Sequence, residues 1–494
     1  MILFLRTTYL DHNATTPVAR QVRRAMARCL KKVHGNASSL HSPGRTARGL
    51  VEHARQTVAS LLGCSLEHVV FTSGGTEANN AVIKGVFAAT RKGHIVTSKI
   101  EHESILGACA QVRGFGADVT FVPAGQDGVV RPEDVRSALR PDTILISIMH
   151  ANNETGAVQP VQEIGRIARE KGILFHTDAV QSFGKIPTRV DEIGCDFLSL
   201  SAHKINGPKG VGALYCRDFS RWLPLICGGD QESRMRAGTE GVHQIVGLGA
   251  AAELAAPRMD AEFSRLSELR QLLIQGLRNV FPDVRVNEAP VGCQMPGTVN
   301  ATFPGRDGLR LLAGLDCYAV SVSIGSACTA DRIEPSHVLL GMGRTEQEAL
   351  STIRISMGST TNSRDVKYCL RVLKIVLAGD PAGFAYIDPK HLTLERIISD
   401  DTFIIDLRFP AERILSPSIP GAKLWSPIGF ERYVKHIPRD KEVILMCTTG
   451  VLSLGAGYRL AKSGHPAVRV VFGGYAAWKA LYPDVIERLK GRSP

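Results

Sequence analysis

Apolar and polar residues alternate in blocks along the first 250 residues of the chain. Short apolar runs, such as 69–71, 144–146 and 173–175, are bounded by polar residues or glycine. A run that is apolar at consecutive positions is typical of a strand buried on both faces. The longer segments between the runs have helical character. This steady alternation predicts an α/β fold with a mostly parallel sheet and helices on both of its faces.

The pattern changes twice further along the chain. From about residue 258 a charged helix is followed by short strands, which predicts a small α/β subdomain over about 258–376 of a first domain, 1–376. Residues 377–387 contain glycine and proline and are interpreted as a linker. Beyond them, 388–494 show a second alternation of apolar runs and helical segments, which predicts a smaller domain. A length of 494 residues also favours two or three domains.

Two of the predicted strands end close to residues that carry chemistry. Asp178 ends one strand, and Lys204 follows the apolar run at 197–200 and precedes a turn rich in glycine and proline. Ligands of open α/β sheets bind outside the carboxyl ends of the strands. The pair suits pyridoxal phosphate, because a lysine forms a Schiff base with its aldehyde and an acid keeps its pyridine nitrogen protonated. Taken alone, Lys204 could equally be a surface lysine in a loop.

A candidate phosphate site precedes these two residues. Residues 69–80 predict a strand, a glycine turn that ends at Gly75, and a helix. Glycines let the backbone approach an anion, and the first turn of a helix offers free N–H groups and the positive end of its dipole. Thr76 adds a hydroxyl. Because such turns are common, this prediction depends on the Asp178 and Lys204 motifs that follow.

The order of these motifs resembles that of the pyridoxal-phosphate cysteine desulfurases of the NifS/IscS type, in the class V aminotransferase family, over about residues 8 to 375. The resemblance implies fold type I of pyridoxal-phosphate enzymes and pyridoxal 5'-phosphate as the cofactor. The cofactor-binding residues that it implies are Gly75, Thr76, His102, Asn153, Asp178, Gln181, Ser201, His203, Lys204 and Thr239. In the family the matching threonine reaches the phosphate of the neighbouring subunit, so Thr239 implies a homodimer.

The resemblance also assigns residues to the substrate. Lys204 and His102 are expected to shuttle protons. Cys328 follows Gly-Ser-Ala and matches the cysteine that accepts sulfur from the substrate; the alternative is a small buried cysteine. Arg354 interrupts an apolar strand, where an arginine is costly unless paired, and a substrate α-carboxylate would pair with it bidentately. Asn153 is expected to contact the substrate as well as the cofactor.

The last hundred residues resemble a single rhodanese domain. A buried strand leads into a loop from Cys447 to Ser453, and a Gly-Gly-x-x-x-Trp segment ends at Trp478. A loop over a helix N-terminus directs several N–H groups at one sulfur and stabilises a thiolate or persulfide. Thr448 and Leu452 occupy positions where rhodaneses often carry arginine. This departure disfavours small anionic sulfur donors, whereas a persulfide on a protein needs no such charge.

Composition and charge limit the functions and cellular locations that remain possible. The formal charge of +12 comes from dispersed residues, so direct nucleic-acid binding is not expected. Eleven cysteines without a Cys-x-x-Cys pair argue against a disulfide framework or a zinc site. No metal is expected in the isolated chain, although Cys328 could be shared with an iron–sulfur cluster of a partner. Since no apolar run is long enough to span a membrane or form a signal peptide, a cytoplasmic location is predicted.

The sequence therefore predicts a cysteine desulfurase, a sulfurtransferase that converts L-cysteine to L-alanine and leaves a persulfide on Cys328. The fusion suggests that Cys447 receives this sulfur, and a linker of about ten residues, spanning at most about 35 Å, permits transfer within one chain or across a dimer. The expected partner is a sulfur-acceptor protein that serves iron–sulfur cluster, thio-cofactor or tRNA synthesis. The alternatives are a selenocysteine lyase or another class V lyase, a rhodanese domain that only docks partners, and a role through direct RNA contact.

Overall fold

The computed structural model describes residues 7–483 apart from 326–333, 380 and 420. Its first part contains the following helices and strands: β1 (Thr8–Tyr9), α1 (Arg20–Lys32), α2 (Ser42–Leu62), β2 (Val69–Thr72), α3 (Gly75–Thr90), β3 (His94–Ser98), α4 (Glu103–Gly114), β4 (Asp118–Val122), α5 (Pro132–Ser137), β5 (Thr143–Ser147), α6 (Val161–Lys171), β6 (Leu174–Asp178), α7 (Val190–Ile193), β7 (Phe197–Ser201), β8 (Gly212–Cys216) and α8 (Val242–Ala255).

Seven of these strands form one sheet in the order β2-β8-β7-β6-β5-β3-β4. Strand β8 is antiparallel to both of its neighbours, and the other pairs are parallel. Successive residues of one strand enter different cores: Leu145 packs with α3 and α4, whereas Ile146 packs with α2 and α6. Both faces of the sheet are therefore covered, as the continuous apolar runs predicted.

The second part forms a small subdomain with these elements: α9 (Met259–Val280), β9 (Arg285–Val286), β10 (Thr298–Thr302), α10 (Gly308–Cys317), β11 (Val320–Ser321), α11 (His337–Gly341), α12 (Glu346–Leu350), β12 (Thr352–Ser356) and α13 (Ser363–Leu377). Strands β12, β10 and β9 form an antiparallel sheet. The N-terminal strand β1 pairs with β11, and Leu10 lies in the apolar core of this subdomain. The first residues of the chain thus connect the small subdomain to the large sheet.

The third part contains β13 (Phe384–Ile387), α14 (Leu394–Ile398), β14 (Thr402–Asp406), α15 (Pro410–Leu415), β15 (Lys423–Leu424), β16 (Glu442–Met446), α16 (Val451–Lys462), β17 (Val468–Val471) and α17 (Gly474–Leu481). Its strands form a parallel sheet in the order β13-β17-β16-β14-β15. Strand β13 falls inside 377–387, which the sequence assigned to the linker. Four residues between a Gly-Pro segment and Pro389 give too short an apolar pattern to predict a strand, but Phe384 and Ile387 are buried against β17.

Across the described ranges, none of the helices combines the length and the apolar character needed to cross a membrane.

Candidate active site

The carboxyl ends of β6 and β7 carry the two residues that the sequence singled out first. Asp178 is buried; one carboxylate oxygen accepts from Asn79 Nδ2 at 2.7 Å and the other from the backbone N–H of Val180 at 2.9 Å. Lys204 ends a single 3-10 turn directly after β7. Because parallel strands end at the same edge of the sheet, both side chains belong to one site. The sequence did not identify Asn79, whose amide holds the carboxylate in place.

The segment that follows β1 lies across these strand ends. The ammonium group of Lys204 donates to the carbonyl oxygens of Asn13 and Ala14, the latter at 2.9 Å. The side-chain amide of Gln181 also donates to the Asn13 carbonyl, at 3.0 Å. His203 Nδ1 lies 3.1 Å from Thr15 Oγ1. Residues 13–15 therefore contact three of the predicted cofactor residues.

His102 occupies the N-cap position of α4. Its Nδ1 accepts the backbone N–H of Ser104 at 3.1 Å, so the neutral ring carries its proton on Nε2. Burial lowers the pKa of His102; the nearby Asp178 carboxylate raises it and the Lys204 ammonium lowers it, with a net value below the ordinary one. The imidazole of His102 is therefore neutral at physiological pH and lies close enough to the Asp178 carboxylate and the Lys204 ammonium to feel both charges.

The turn between β2 and α3 has the shape expected of an anion cradle. Gly74 adopts φ 153°, which is unfavourable for residues with a side chain, and a Cβ on Gly75 would lie 2.4 Å from a methyl carbon of Val180. A Cβ on Gly74 would lie 3.8 Å from Ser201 Oγ, which places the Ser201 hydroxyl beside the turn. Thr76 is exposed at the first turn of α3. Small residues, a hydroxyl and a helix N-terminus thus meet at one place.

Arg354 enters the site from the small subdomain. It lies on β12 and is 1% exposed. One terminal nitrogen forms a 2.8 Å ion pair with Asp11, and the other donates to the Asn153 carbonyl at 3.1 Å. Among the residues that the structure describes, none accepts a hydrogen bond from its buried Nε. The sequence predicted that this arginine needs a partner but missed Asp11.

Two predicted residues lie at the edges of this arrangement. The backbone carbonyl of Asn153 accepts hydrogen bonds from Arg354 and from the side chain of Asn13, so Asn153 contacts the small subdomain and the N-terminal segment. Thr239 is exposed on the loop before α8. Exposure is required of a residue that would reach the site of a second copy of the chain.

Cys328 lies in 326–333, outside the described residues. The residues on either side of this segment approach each other, because a Cβ on Gly325 would lie 3.4 Å from Ser336 Cβ. The Ser336 hydroxyl donates to the buried carboxyl of Glu154 at 2.5 Å. Burial raises the pKa of Glu154, against the opposing effect of the Ser336 hydrogen bond. Neither Glu154 nor Ser336 has a sequence pattern that indicates this contact.

A second site lies at the carboxyl end of β16. Cys447 is 1% exposed, and its Sγ accepts from the backbone N–H of Ser453 at 3.4 Å. The backbone N–H of Tyr475 donates to the Cys447 carbonyl at 2.8 Å, and a Cβ on Gly474 would lie 2.3 Å from the same oxygen. The Gly-Gly-x-x-x-Trp segment therefore packs directly on the cysteine loop.

Two side chains of the Cys447 loop, Thr448 and Leu452, bring no positive charge to it. Thr448 donates its hydroxyl to Glu412 at 2.5 Å, which places a carboxylate beside the loop. Leu452 is 45% exposed at the first turn of α16. A small anionic sulfur donor would meet a carboxylate and an apolar side chain at these two positions, not the cations of an arginine-bearing loop.

The residues at the strand ends of the large sheet fit pyridoxal phosphate. The buried Asp178 carboxylate suits a protonated ring nitrogen, the Lys204 amine suits an aldehyde, and the cradle at Gly74 and Gly75 suits a phosphate. The buried Nε of Arg354, which has no acceptor within the described part of the chain, is a donor that a carboxylate of a bound amino acid would satisfy.

Comparisons with known proteins agree with this geometry. The class-V aminotransferase family profile matches residues 8–369, and the rhodanese-like domain profile matches 391–481. A cysteine desulfurase IscS of Dictyoglomus turgidum is 47% identical over 374 residues, which cover 75% of this chain and 95% of that protein. A second IscS, from Methanosarcina thermophila, is 44% identical over 373 residues, which cover 75% of this chain and 91% of that protein.

Solved structures give the same result. A NifS-like protein superposes with a TM-score of 0.71 at 36% identity, covering 75% of this chain and 99% of the other. A NifS-like protein of Rickettsia africae superposes with a TM-score of 0.69 at 33% identity, covering 76% of this chain and 100% of the other. The matches confirm the predicted resemblance, the α/β fold class and, since the family is pyridoxal-phosphate-dependent, the predicted cofactor.

Proposed function

The chain belongs to the class-V aminotransferase family, among its IscS-like members, and carries a rhodanese-like domain; from this premise we propose that it is a cysteine desulfurase that converts L-cysteine to L-alanine. The observation that carries the proposal is the convergence of Asp178, Lys204 and His102 at the strand ends. Beside them lies the buried Arg354, whose Nε finds no acceptor in the residues that the structure describes. The relatives reported above are named cysteine desulfurases, so the selenocysteine lyase alternative is not favoured.

Each predicted residue has a task in this reaction. Pyridoxal phosphate, when bound, supplies an aldehyde that captures an amino group and a ring that withdraws electrons from the adjacent carbon. Asp178 would keep the ring nitrogen protonated. The residues of the same chain that would hold the phosphate are Gly75, Thr76, Ser201 and His203. A second copy of the chain would contribute Thr239. Asn153 and Gln181 would hold the ring oxygen, and Arg354 the substrate carboxylate.

Proton movements fall to Lys204 and His102. Lys204 would take a proton from the α-carbon of the substrate and return one to the product. His102 is neutral because burial lowers its pKa, so it can accept or hold a proton near the substrate sulfur. Asn13 and Ala14 contribute the carbonyl oxygens that hold the Lys204 ammonium in place.

The sulfur step is an exchange between two sulfur-bearing groups. The Cys328 thiolate attacks the substrate sulfur, so that an S–S bond forms and the carbon–sulfur bond breaks. The electron pair of the broken bond stays on the β-carbon, which takes up a proton and becomes the methyl group of alanine. The products are alanine and a persulfide on Cys328, and no external oxidant or reductant is needed.

We further propose that this persulfide passes its outer sulfur to Cys447. The Cys447 thiolate attacks that sulfur, a new S–S bond forms on Cys447, and Cys328 leaves as a thiolate. The hydrogen bond from the Ser453 N–H to Sγ supports a reactive sulfur at this position. The enzyme would work as a cytoplasmic homodimer that delivers sulfur to an acceptor protein for iron–sulfur cluster, thio-cofactor or tRNA synthesis.

Persulfide mapping by mass spectrometry after brief exposure to L-cysteine tests both proposals. We expect persulfide on Cys328 and Cys447 in the unchanged protein, and on neither residue in Cys328→Ser. Cys227→Ser is the matched control, because Cys227 is an exposed free cysteine outside both sites. Persulfide on Cys328 alone would leave a desulfurase whose rhodanese-like domain only docks partners. Absence of persulfide from both residues, with no alanine formed, would refute the desulfurase proposal.

A further inference from the structure

The rhodanese-like domain shares an apolar core with the small subdomain. Leu309 and Ala313 of α10 pack in the same cluster as Leu454 and Tyr458 of α16. The first two residues are 7% and 2% exposed, so this face of α10 is covered by the neighbouring domain. The cluster also contains Cys447 itself, and Ile324 packs against it. Two domains joined by a flexible linker alone would not share such a core.

Polar contacts continue the interface along the same two helices. The guanidinium of Arg459 forms an ion pair with Asp316, and the thiol of Cys317 lies 3.8 Å from the Gly455 carbonyl. The ammonium of Lys462 lies 3.2 Å from the ring centroid of Tyr318. These contacts orient α16 relative to α10 and therefore orient the cysteine loop that precedes α16.

A cavity of about 790 Å³ lies at this interface. The small subdomain lines it with residues that include Ile324, Gly325 and Ser336, and the rhodanese-like domain lines it with Val451 and Phe472. Val451 begins α16 four residues after Cys447, and Phe472 lies two residues before Gly474, which packs on the Cys447 carbonyl. The cavity thus adjoins the residues that flank 326–333 on one side and the Cys447 loop on the other.

From this interface we infer that sulfur passes between the two domains of one chain, so that Cys447 is charged by Cys328 of its own chain and not by the other subunit. The inference rests on the proposed function, which supplies a persulfide on Cys328. The transfer is the thiol exchange described above: the S–S bond to Cys328 breaks as the S–S bond to Cys447 forms, and Cys328 returns to a thiolate. Docking holds the Cys447 loop beside Ile324, Gly325 and Ser336 of the same chain, so a sulfur donor carried by that part of the chain meets Cys447 at a high effective concentration without help from the other subunit.

Mixed dimers separate transfer within a chain from transfer between chains. One differently tagged chain carries Cys328→Ser and the other Cys447→Ser, and the mixed dimer is purified with both tags before exposure to L-cysteine. We expect persulfide on the intact Cys328 and none on the intact Cys447, because no chain holds both. The control dimer pairs an unchanged chain with a Cys328→Ser, Cys447→Ser chain, and its single intact Cys447 should be charged.

The outcomes distinguish a failure of transfer within one chain from a failure of the proposed desulfurase function. Rapid charging of Cys447 in the first mixed dimer, at the rate of the control, would overturn transfer within the chain and leave the relay intact. Failure of Cys328 to acquire sulfur in the control dimer would refute the proposed function instead.

Charge exchange at the interface gives an independent test. Asp316→Arg and Arg459→Asp each place like charges opposite one another, and we expect each to slow the charging of Cys447 about tenfold. The double exchange should restore the rate, because the ion pair is rebuilt with its sign reversed. Asp142→Arg, at an exposed pair in the large domain, is the matched control. Alanine formation with a thiol reductant should be unchanged throughout, and single variants that charge Cys447 at the normal rate would contradict the inference.

Discussion

The chain contains two sites at the carboxyl ends of parallel strands, and they are assembled in different ways. The Cys447 site is local: the sulfur and its Ser453 donor are six residues apart, and the third participant is the nearby segment at Gly474 and Tyr475. The site around Lys204 combines groups from the N-terminal segment, from the ends of β2, β3, β6 and β7 in the large sheet, and from the small subdomain. Its Arg354–Asp11 pair joins residues 343 positions apart.

The difference explains how each site can fail. A local loop depends on its own backbone and on the core of a small domain. The Lys204 site is built from segments that are distant in the sequence, so it depends on how the two subdomains pack against each other. Each of its side chains also contacts several others. Substitutions at the Lys204 site should therefore reduce the rate of alanine formation most. Substitutions in the core beneath the Cys447 loop should reduce the free energy of unfolding most.

The largest loss of alanine formation is expected from a substitution of Lys204. Lys204→Arg keeps the positive charge, but a guanidinium stays protonated and can neither add to an aldehyde nor accept a proton. Alanine formation should fall about 10³-fold, which is typical of losing an acid–base group. Lys209→Arg, in the exposed part of the same loop, is the control. Alanine formation in Lys204→Arg within tenfold of normal would contradict the assigned role.

A smaller effect, on stability alone, is expected from Trp478→Ala. This side chain is fully buried and donates to the Leu392 carbonyl at 3.0 Å, so its removal should cost about 3–5 kcal/mol and lower the unfolding transition of the rhodanese-like domain. Alanine formation with a reductant should remain. Phe303→Ala is the matched change in the small subdomain, where Phe303 is also fully buried. If Trp478→Ala abolished alanine formation as well, the two domains would unfold as one unit.

The smallest effect is a pH dependence that arises from His176. This residue lies between Ser147 Oγ, at 2.8 Å, and Ser199 Oγ, at 3.0 Å, and burial lowers its pKa to about 3. Because the folded protein favours the neutral ring, its contribution to stability is complete above the unfolded pKa, near 6.5, and is lost as the pH falls towards 3.

Chemical unfolding between pH 7.5 and 5 measures this contribution. Below pH 6.5 the unfolding free energy should decrease by up to about 1.4 kcal/mol per pH unit more in the unchanged protein than in His176→Gln. His436→Gln, at an exposed position of the rhodanese-like domain, should leave the slope unchanged. Equal slopes in the His176 variant and the unchanged protein would show that this histidine is not held neutral by the fold.

Features that depend on short-range chemistry could be predicted from the sequence. Consecutive apolar residues predicted buried parallel strands, which the seven-stranded sheet confirms. Glycines before a helix predicted a tight turn at Gly74 and Gly75, and the strand–cysteine–helix order predicted a loop between β16 and α16. Each follows from backbone geometry and burial within a few residues. Strand β13 was missed for the same reason, since its four residues carry no pattern that separates them from a linker.

The tertiary structure alone decided which distant groups meet. Nothing in the pattern around Asp11 indicates that it pairs with Arg354, and nothing near Asp316 indicates the ion pair with Arg459. The sequence showed only that a buried arginine needs a partner. The identity of that partner depends on how the subdomains pack, because burial makes an ion pair necessary while the relative placement of remote segments determines where its second charge comes from.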